Sequence, residues 1–490
     1  MQLNRRALLL GAGAARISTL ASEYLPDSQH VKRPNVLLIF MDDQTHRSIR
    51  CLNNDEVHTP NLDRLAKRGT VFTHAFNQGA WSGAVCIPSR AMLLSGLTVW
   101  HSQHQFDNVP LWGEWFSKHG YSTFMTGKWH NGEPALKRCF AEIGPNAGGF
   151  LPSLPDTPEA QNDAYYRPAN SNHWRPDDTS RGGHWMNVDG HIIHSSERWA
   201  SAAIDFISRQ STIQQSVGHE GAITSGTHEP FFMHVAFHAP HDPRQAPTEF
   251  LEMYPRDKIS IPPNFQAVHP FDQGDSRVRD ELLTPFPRTE EAVRLHRQEY
   301  YAILSHADQQ IGRILDALDA TGLSKDTIVL FSGDHGLAVG QHGLMGKQNL
   351  YDHSVRIPLI MAGPGIPQGK TTDELVYQSG LFPTACDLCG LPTPKTVEHR
   401  SMVSLLHPHK GSGYRQIYGG YMHLQRMVCD HEWKLILYPK VGVTQLFHVA
   451  NDPWEVHNLA IDGKYAGIIE KYTAHLKRLQ NELDDDLALN

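Results

Sequence analysis

The sequence predicts an α/β fold: a mostly parallel central sheet flanked by helices, followed by a small antiparallel C-terminal subdomain. Three observations predict it. Short apolar runs at residues 36–41, 231–237, 327–331 and 357–361 read as strands covered on both faces, because a strand with one wet face alternates instead. Helical patterns at 197–208 and 290–318 separate these runs, and strands alternating with helices define an α/β domain. After about residue 409 the pattern changes to close-set strand-like runs at 416–421, 427–429 and 433–438, then one helix over about 464–483.

The 490 residues are 40% hydrophobic and 20% charged, which excludes a disordered or collagen-like chain and leaves room for about two to four domains. The reading divides them into a leader and tail (1–33), an α/β catalytic domain (34–409) and the C-terminal subdomain (410–490). A net charge of −8, from 52 acids and 44 bases, argues against nucleic-acid binding by general phosphate attraction. Histidine is over-represented at 31 residues, a supply of groups that titrate or ligate metals near neutral pH.

Taken in order, Arg5-Arg6 precede a nine-residue apolar stretch, residues 7–15. This has the layout of a signal peptide and is too short to span a bilayer. The arginine pair resembles a twin-arginine export signal, so the expected location is periplasmic or extracellular, without stable membrane insertion. The 36–41 strand ends on Asp42-Asp43. Thr59-Pro60 opens a helix through Lys67 that Gly69 stops. Strand-like residues 122–125 lead into Gly127-Lys128-Trp129-His130, and the 231–237 run leads into His238-Ala239-Pro240-His241-Asp242-Pro243. Residues 210–229 lack periodicity and read as a surface insertion. The 327–331 strand leads to Asp334-His335-Gly336, followed by Gly346-Lys347. Six scattered cysteines make no disulfide framework, and Cys386 and Cys389, a lone CxxC in a helical stretch (380–391), read as buried helix residues.

The most specific string is Cys86-Ile87-Pro88-Ser89-Arg90, followed by Leu94-Ser95-Gly96. A Cys, Pro, Ser and Arg at these spacings arises by chance about once per thousand chains of this length. The string resembles the sulfatase signature, in which the Cys is oxidised after translation to formylglycine. A thiolate attacking a sulfate ester would hold the sulfate with no easy exit, whereas a hydrated aldehyde carries one hydroxyl to attack and one to expel. The resemblance extends from Pro34 to about Ala460, ending on Leu446-Phe447-His448, Asp452-Pro453 and Asn458-Leu459-Ala460, and implies the alkaline phosphatase superfamily fold. It implies one divalent metal, calcium before magnesium, on Asp42, Asp43, Cys86, Asp334 and His335, with His335 where many members have Asn. It further implies that Arg90 supports the formylglycine, Lys128 and Lys347 bind the sulfate, His130 acts as base, and His241 rather than His238 meets the departing oxygen. A formylglycine-generating enzyme is the implied maturation partner.

The segment 170–185 holds His173, Trp174, Arg175, Arg181, His184 and Trp185, able to stack on a sugar and pair with an anion, or equally to pack on the domain. Export favours a sulfated polysaccharide or its oligosaccharides as substrate, then a small aryl or alkyl sulfate. The competing readings are a formylglycine-dependent phosphodiester or phosphonate ester hydrolase and an inactive sulfatase-like glycan-binding protein.

Overall fold

The central sheet of the computed structural model orders its strands Lys370–Thr372, Gly69–Phe76, Arg356–Ala362, Thr327–Gly333, Asn35–Met41, Phe231–Ala236, Ser122–Lys128 and Glu142–Ala147, with Val376–Tyr377 also pairing on Gly69–Phe76. The structure describes residues 33–151, 183–219, 229–274, 278–407 and 411–489. The expected export signal and His173, Trp174, Arg175 and Arg181 lie outside them. The five strands from Thr327–Gly333 to Glu142–Ala147 run parallel, and Arg356–Ala362 is antiparallel to both of its neighbours.

The continuous apolar run in Asn35–Met41 is explained by its two faces. Leu37, Ile39 and Met41 pack with Trp199, Phe206, Ile303 and Ile311 from the helices Ser195–His219 and Glu290–Ala320. Val36, Leu38 and Phe40 pack with Leu93, Trp112, Phe116 and Phe382 from the opposite layer. Each such buried side chain contributes about 1.5–3 kcal/mol, so both faces must stay apolar. Glu290–Ala320 starts where Thr289 accepts a hydrogen bond from the Ala292 N–H.

The helix from Ser195 continues to His219, so residues 210–219 are helical where the sequence reading placed an insertion. The polar composition of 210–219 hid the continuation, because a helix is read from the period of its apolar residues. Cys386 and Cys389 are buried at the end of the helix Leu381–Leu388 and are not joined in a disulfide.

The second sheet orders Val443–Phe447, Lys434–Tyr438, Gln425–Cys429 and Ile417–Tyr421 antiparallel, then adds Gly79–Ala80 in parallel. Tyr472 and Leu476 of the helix Ala466–Glu482 pack on Tyr418, Val428 and Leu435. Buried Lys434 ties this sheet to the short helix Asp352–Val355, which leads into Arg356–Ala362, with Nζ 2.8 Å from Asp352, and it also pairs with Glu455 at 2.7 Å. Residues 34–490 form one compact unit. Among the described residues no helix is long and apolar enough to cross a membrane.

Candidate active site

Parallel register gathers the site. Met41 pairs with Gly333, Phe40 with Ala236, and Gly127 with Ala236, so the chain leaves four neighbouring strands at one edge. Asp42-Asp43, Asp334-His335, the 238–243 segment and Lys128 therefore converge, as parallel α/β sheets place ligands beyond their carboxyl ends. Gly127 permits the close approach: its φ is +103°, and a Cβ there would lie 1.8 Å from the Ala236 carbonyl oxygen. Asp43 also sits at positive φ, +63°, held because its N–H donates to Asp334 Oδ1 at 3.0 Å and its carbonyl accepts from the Tyr300 hydroxyl at 2.8 Å.

Cys86 is the first residue of the helix Cys86–Ser95, which Gly96 ends in a left-handed conformation. Pro88 is tolerated there because a first-turn N–H has no intrahelical partner. Ser89 Oγ donates to the Asp334 carbonyl at 2.6 Å, locking helix to strand end. Buried Cys86 Sγ then lies 3.3 Å from His335 Nε2, 3.4 Å from Lys347 Nζ, 3.4 Å from Asp42 Oδ1 and 3.8 Å from Lys128 Nζ. Burial and Asp42 oppose ionisation of the thiol, but Lys128, Lys347 and His335 outweigh them and hold its pKa well below the usual thiol range.

The carboxylates carry the complementary charge. Asp42 Oδ2 receives Arg90 Nη2 and Lys128 Nζ, each at 2.7 Å; burial alone would raise its pKa, and these two cations hold it well below the carboxylate range. Lys347 Nζ pairs with Asp43 Oδ1 at 2.8 Å. Burial disfavours its charge, yet Asp43 and Cys86 raise its pKa well above the ordinary lysine value. Asp334 is pushed up to about 8 by burial and by the neighbouring charge of Asp42. Burial lowers and Asp334 more than restores His335, raised to about 9.

Four of the five expected metal ligands, Asp42, Asp43, Cys86 and His335, offer donor atoms within 4.8 Å of one another. The fifth, Asp334, turns Oδ1 to the N–H groups of Asp43 and His335. Its Oδ2 is buried, accepts no hydrogen bond among the described residues and lies 3.4 Å from Arg90 Nε. The His335 Nδ1–H donates to the Gly336 carbonyl at 2.9 Å, which directs Nε2 to the centre. Three buried carboxylates, one of them with an unsatisfied oxygen, fit a divalent cation, which would offset their mutual repulsion.

His241 Nε2 faces Asp43 Oδ2 at 3.7 Å, while Nδ1 meets the Asp242 carbonyl at 2.7 Å. Burial lowers its pKa and Asp43 overcomes this, leaving it raised. His130 is half-buried, with Nδ1 unpartnered among the described residues and its ring against Gly149. Buried His238 bonds the Gly148 carbonyl through Nε2 at 2.9 Å, as expected of a loop histidine. His184 is buried with both ring nitrogens engaged, by Ser195 Oγ and by the His241 carbonyl. It braces the His241 loop through these two bonds. Trp185 sits in a two-stranded ribbon, Trp185–Val188 with His191–His194, its ring 5.2 Å from His194.

Sequence reasoning missed the supports. Asp242 is forked by Arg279 at 2.5 and 2.9 Å. Glu281 accepts from the N–H groups of Met345 and Gly346 and pairs with Arg288, fixing the loop that carries Lys347. Asn77 Nδ2 donates to the Asp334 carbonyl at 3.0 Å. No spacing marks them, since the separations range from 7 residues for Glu281 and Arg288 to 257 for Asn77 and Asp334.

The chain matches the sequence profile of the Sulfatase family over residues 34–391, and that of the N-sulphoglucosamine sulphohydrolase C-terminal region over residues 340–482. It therefore belongs to the sulfatase family, within the alkaline phosphatase superfamily, and is a sulfuric ester hydrolase. A Formosa agariphila sulfatase is 27% identical, covering 97% of this chain and 92% of its own. Mouse iduronate 2-sulfatase is 29% identical over 74% of this chain and 69% of its own. A solved structure described in complex with its substrate D-glucosamine-2-N,6-O-disulfate has a TM-score of 0.66 at 20% identity, over 93% of this chain and 99% of that one; it establishes likeness of fold.

Proposed function

We propose that this protein removes sulfate from a sulfated polysaccharide or its oligosaccharides, using a formylglycine made from Cys86 and one divalent cation, calcium before magnesium. The observation that carries this reading is the two buried lysines at Cys86, with Lys347 and Lys128 Nζ 3.4 and 3.8 Å from Sγ and His335 Nε2 beside them at 3.3 Å. Such a cluster suits an anionic group transferred to residue 86, because charge that develops during transfer meets donors already in place. The relatives' substrates, iduronate 2-sulfate by name and a glucosamine disulfate in a solved complex, support a carbohydrate.

As a formylglycine hydrate, residue 86 supplies two hydroxyls on one carbon, one to take the sulfuryl group and one to expel it. Asp42, Asp43, Asp334, His335 and residue 86 would hold the cation, whose charge polarises the sulfate. Lys128 and Lys347 bind sulfate oxygens, and Arg90 holds Asp42 and Asp334 in place. His241, its Nδ1 fixed by the Asp242 carbonyl, delivers a proton from Nε2 to the departing alcohol. His130 is the base for collapse of the second hydroxyl. Export, supported by the Arg5-Arg6 leader, brings the enzyme to polymers outside the cytoplasm, and a formylglycine-generating enzyme matures it.

The test is release of inorganic sulfate from sulfated oligosaccharides, alongside phosphonate and phosphate ester hydrolysis. Sulfate release that is abolished by Cys86→Ala is expected. Greater catalytic efficiency on the phosphorus esters would reassign the enzyme to that chemistry.

A further inference from the structure

The mouth of the site carries a surface that the assigned roles leave unused. The strand Glu142–Ala147 runs parallel to Ser122–Lys128 with Lys128 opposite Ala147, so the chain beyond it, Gly148 to Phe150, leaves the sheet at the edge where the site lies. Phe150 ends that turn 52% exposed, costly for an aromatic ring unless something covers it. Its ring stands edge-on to His241, with centroids 5.2 Å apart and planes at 87°. His241 Nε2 is in turn 3.7 Å from Asp43 Oδ2. The exposed ring is thus one side chain away from the carboxylates of the centre.

Arg279 braces the other side. Its guanidinium carbon lies 4.9 Å from the centroid of the Phe150 ring. Its Nη1 and Nη2 are forked on buried Asp242 at 2.5 and 2.9 Å, and Nη2 also meets Asp280 Oδ1 at 2.6 Å. Asp280 is anchored from behind by Gln348 Nε2 at 2.7 Å. Asp242 and Asp280 hold the guanidinium in place against Phe150, so this corner presents a positioned planar cation.

We propose that Phe150, braced by Arg279, is the specificity-determining contact for the alcohol half of the ester. Its exposed face receives the C–H face of a ring that bears the sulfate, and Arg279 N–H groups donate to hydroxyl oxygens of that ring. The substrate class is a cyclic alcohol sulfate, uncharged on the face that meets Phe150. Beside His241, this contact sets the departing oxygen opposite Nε2. The inference rests on the sulfatase reading and deepens it.

The test compares kcat/KM for the positional monosulfates of methyl glucoside and methyl galactoside with that for n-butyl sulfate, an acyclic ester. Wild type is expected to prefer a cyclic ester. Phe150→Ala is expected to cut the cyclic-to-acyclic ratio about tenfold, while Phe150→Tyr, which keeps the ring face, holds it within about twofold. A ratio unmoved by Phe150→Ala, or no preference for any cyclic ester in wild type, overturns the proposal and leaves sulfate hydrolysis standing. Hydrolysis of none of these esters by matured protein that still releases sulfate from sulfated oligosaccharides overturns the proposal alone, whereas no sulfate release from either set overturns the sulfatase reading with it.

Discussion

Replacing Arg90 by methionine removes a cation from the most densely charged part of the interior while keeping the length of the side chain. Arg90 is 3% exposed, its Nη2 is 2.7 Å from Asp42 Oδ2 and its Nε is 3.4 Å from Asp334 Oδ2. At an effective dielectric of about 20 the closer pair alone corresponds to about 6 kcal/mol. Lys128 stays at 2.7 Å from the same oxygen, so part of this attraction survives. Breaking a buried pair by removing one partner costs about 3–5 kcal/mol, because the remaining charge is left uncompensated. Arg90→Met is therefore expected to lose about 3–5 kcal/mol of urea-unfolding free energy at pH 7 in the presence of a chelator. Added calcium should recover part of the loss, since a cation on Asp42 and Asp334 replaces the missing charge. The pH dependence carries the sign of the effect. The Asp42 pKa is held low in the folded state, against burial, by Lys128 and Arg90, so its stabilisation is present above the unfolded carboxylate value near 3.9 and is lost as pH falls through the folded value. The gap between wild type and variant should be full at pH 7 and shrink below about pH 4. A loss under about 1 kcal/mol, or a gap unchanged down to pH 3, would refute the reasoning.

Lys347→Ala removes a buried ammonium 3.4 Å from Cys86 Sγ and should lower kcat about 100- to 1000-fold in matured enzyme, as loss of a preorganised charge-stabilising donor does; a change under about threefold excludes that role. His234 is buried beside Phe40 and Phe140 with neither ring nitrogen bonded among the described residues, and burial lowers its pKa to about 3. A depressed histidine stabilises the fold above the unfolded value near 6.5 and loses that contribution as pH falls toward 3, so His234→Leu should weaken the loss of stability between pH 6.5 and 5 by about 2 kcal/mol in chemical denaturation. Lys434→Met breaks the buried pairs with Asp352, in the short helix before Arg356–Ala362, and with Glu455. It should cost about 3–5 kcal/mol in the same assay with kcat unchanged, and a selective loss of kcat would show that the junction reaches the active site.

Part of the candidate site was legible because its residues follow strands that the apolar runs mark. Asp42-Asp43, Lys128, His241 and Asp334-His335 could be placed at one sheet edge by parallel pairing alone. Cys86, Arg90 and Lys347 needed the family resemblance, since nothing in the periodicity says that the helix beginning at Cys86 points its first turn at Asp42. Pairings of short, polar or glycine-rich segments stayed hidden: Gly79–Ala80 joins the second sheet through backbone bonds to Ile417–Tyr421, and backbone bonds leave no trace in side-chain pattern. Arg279, Phe150 and Glu281 were invisible for a related reason. A charged or aromatic residue in a loop reads as solvated surface until the fold shows that Asp242, His241 or the Lys347 loop lies against it.

The central claim is that sulfate ester hydrolysis depends on an oxidised Cys86. The most direct test is mass spectrometry of the tryptic peptide spanning residues 69–90, taken from protein that has just been shown to release inorganic sulfate. The account predicts a mass in which an aldehyde replaces the Cys86 thiol, in proportion to activity across preparations. Full activity in protein whose Cys86 is entirely unmodified thiol would contradict it.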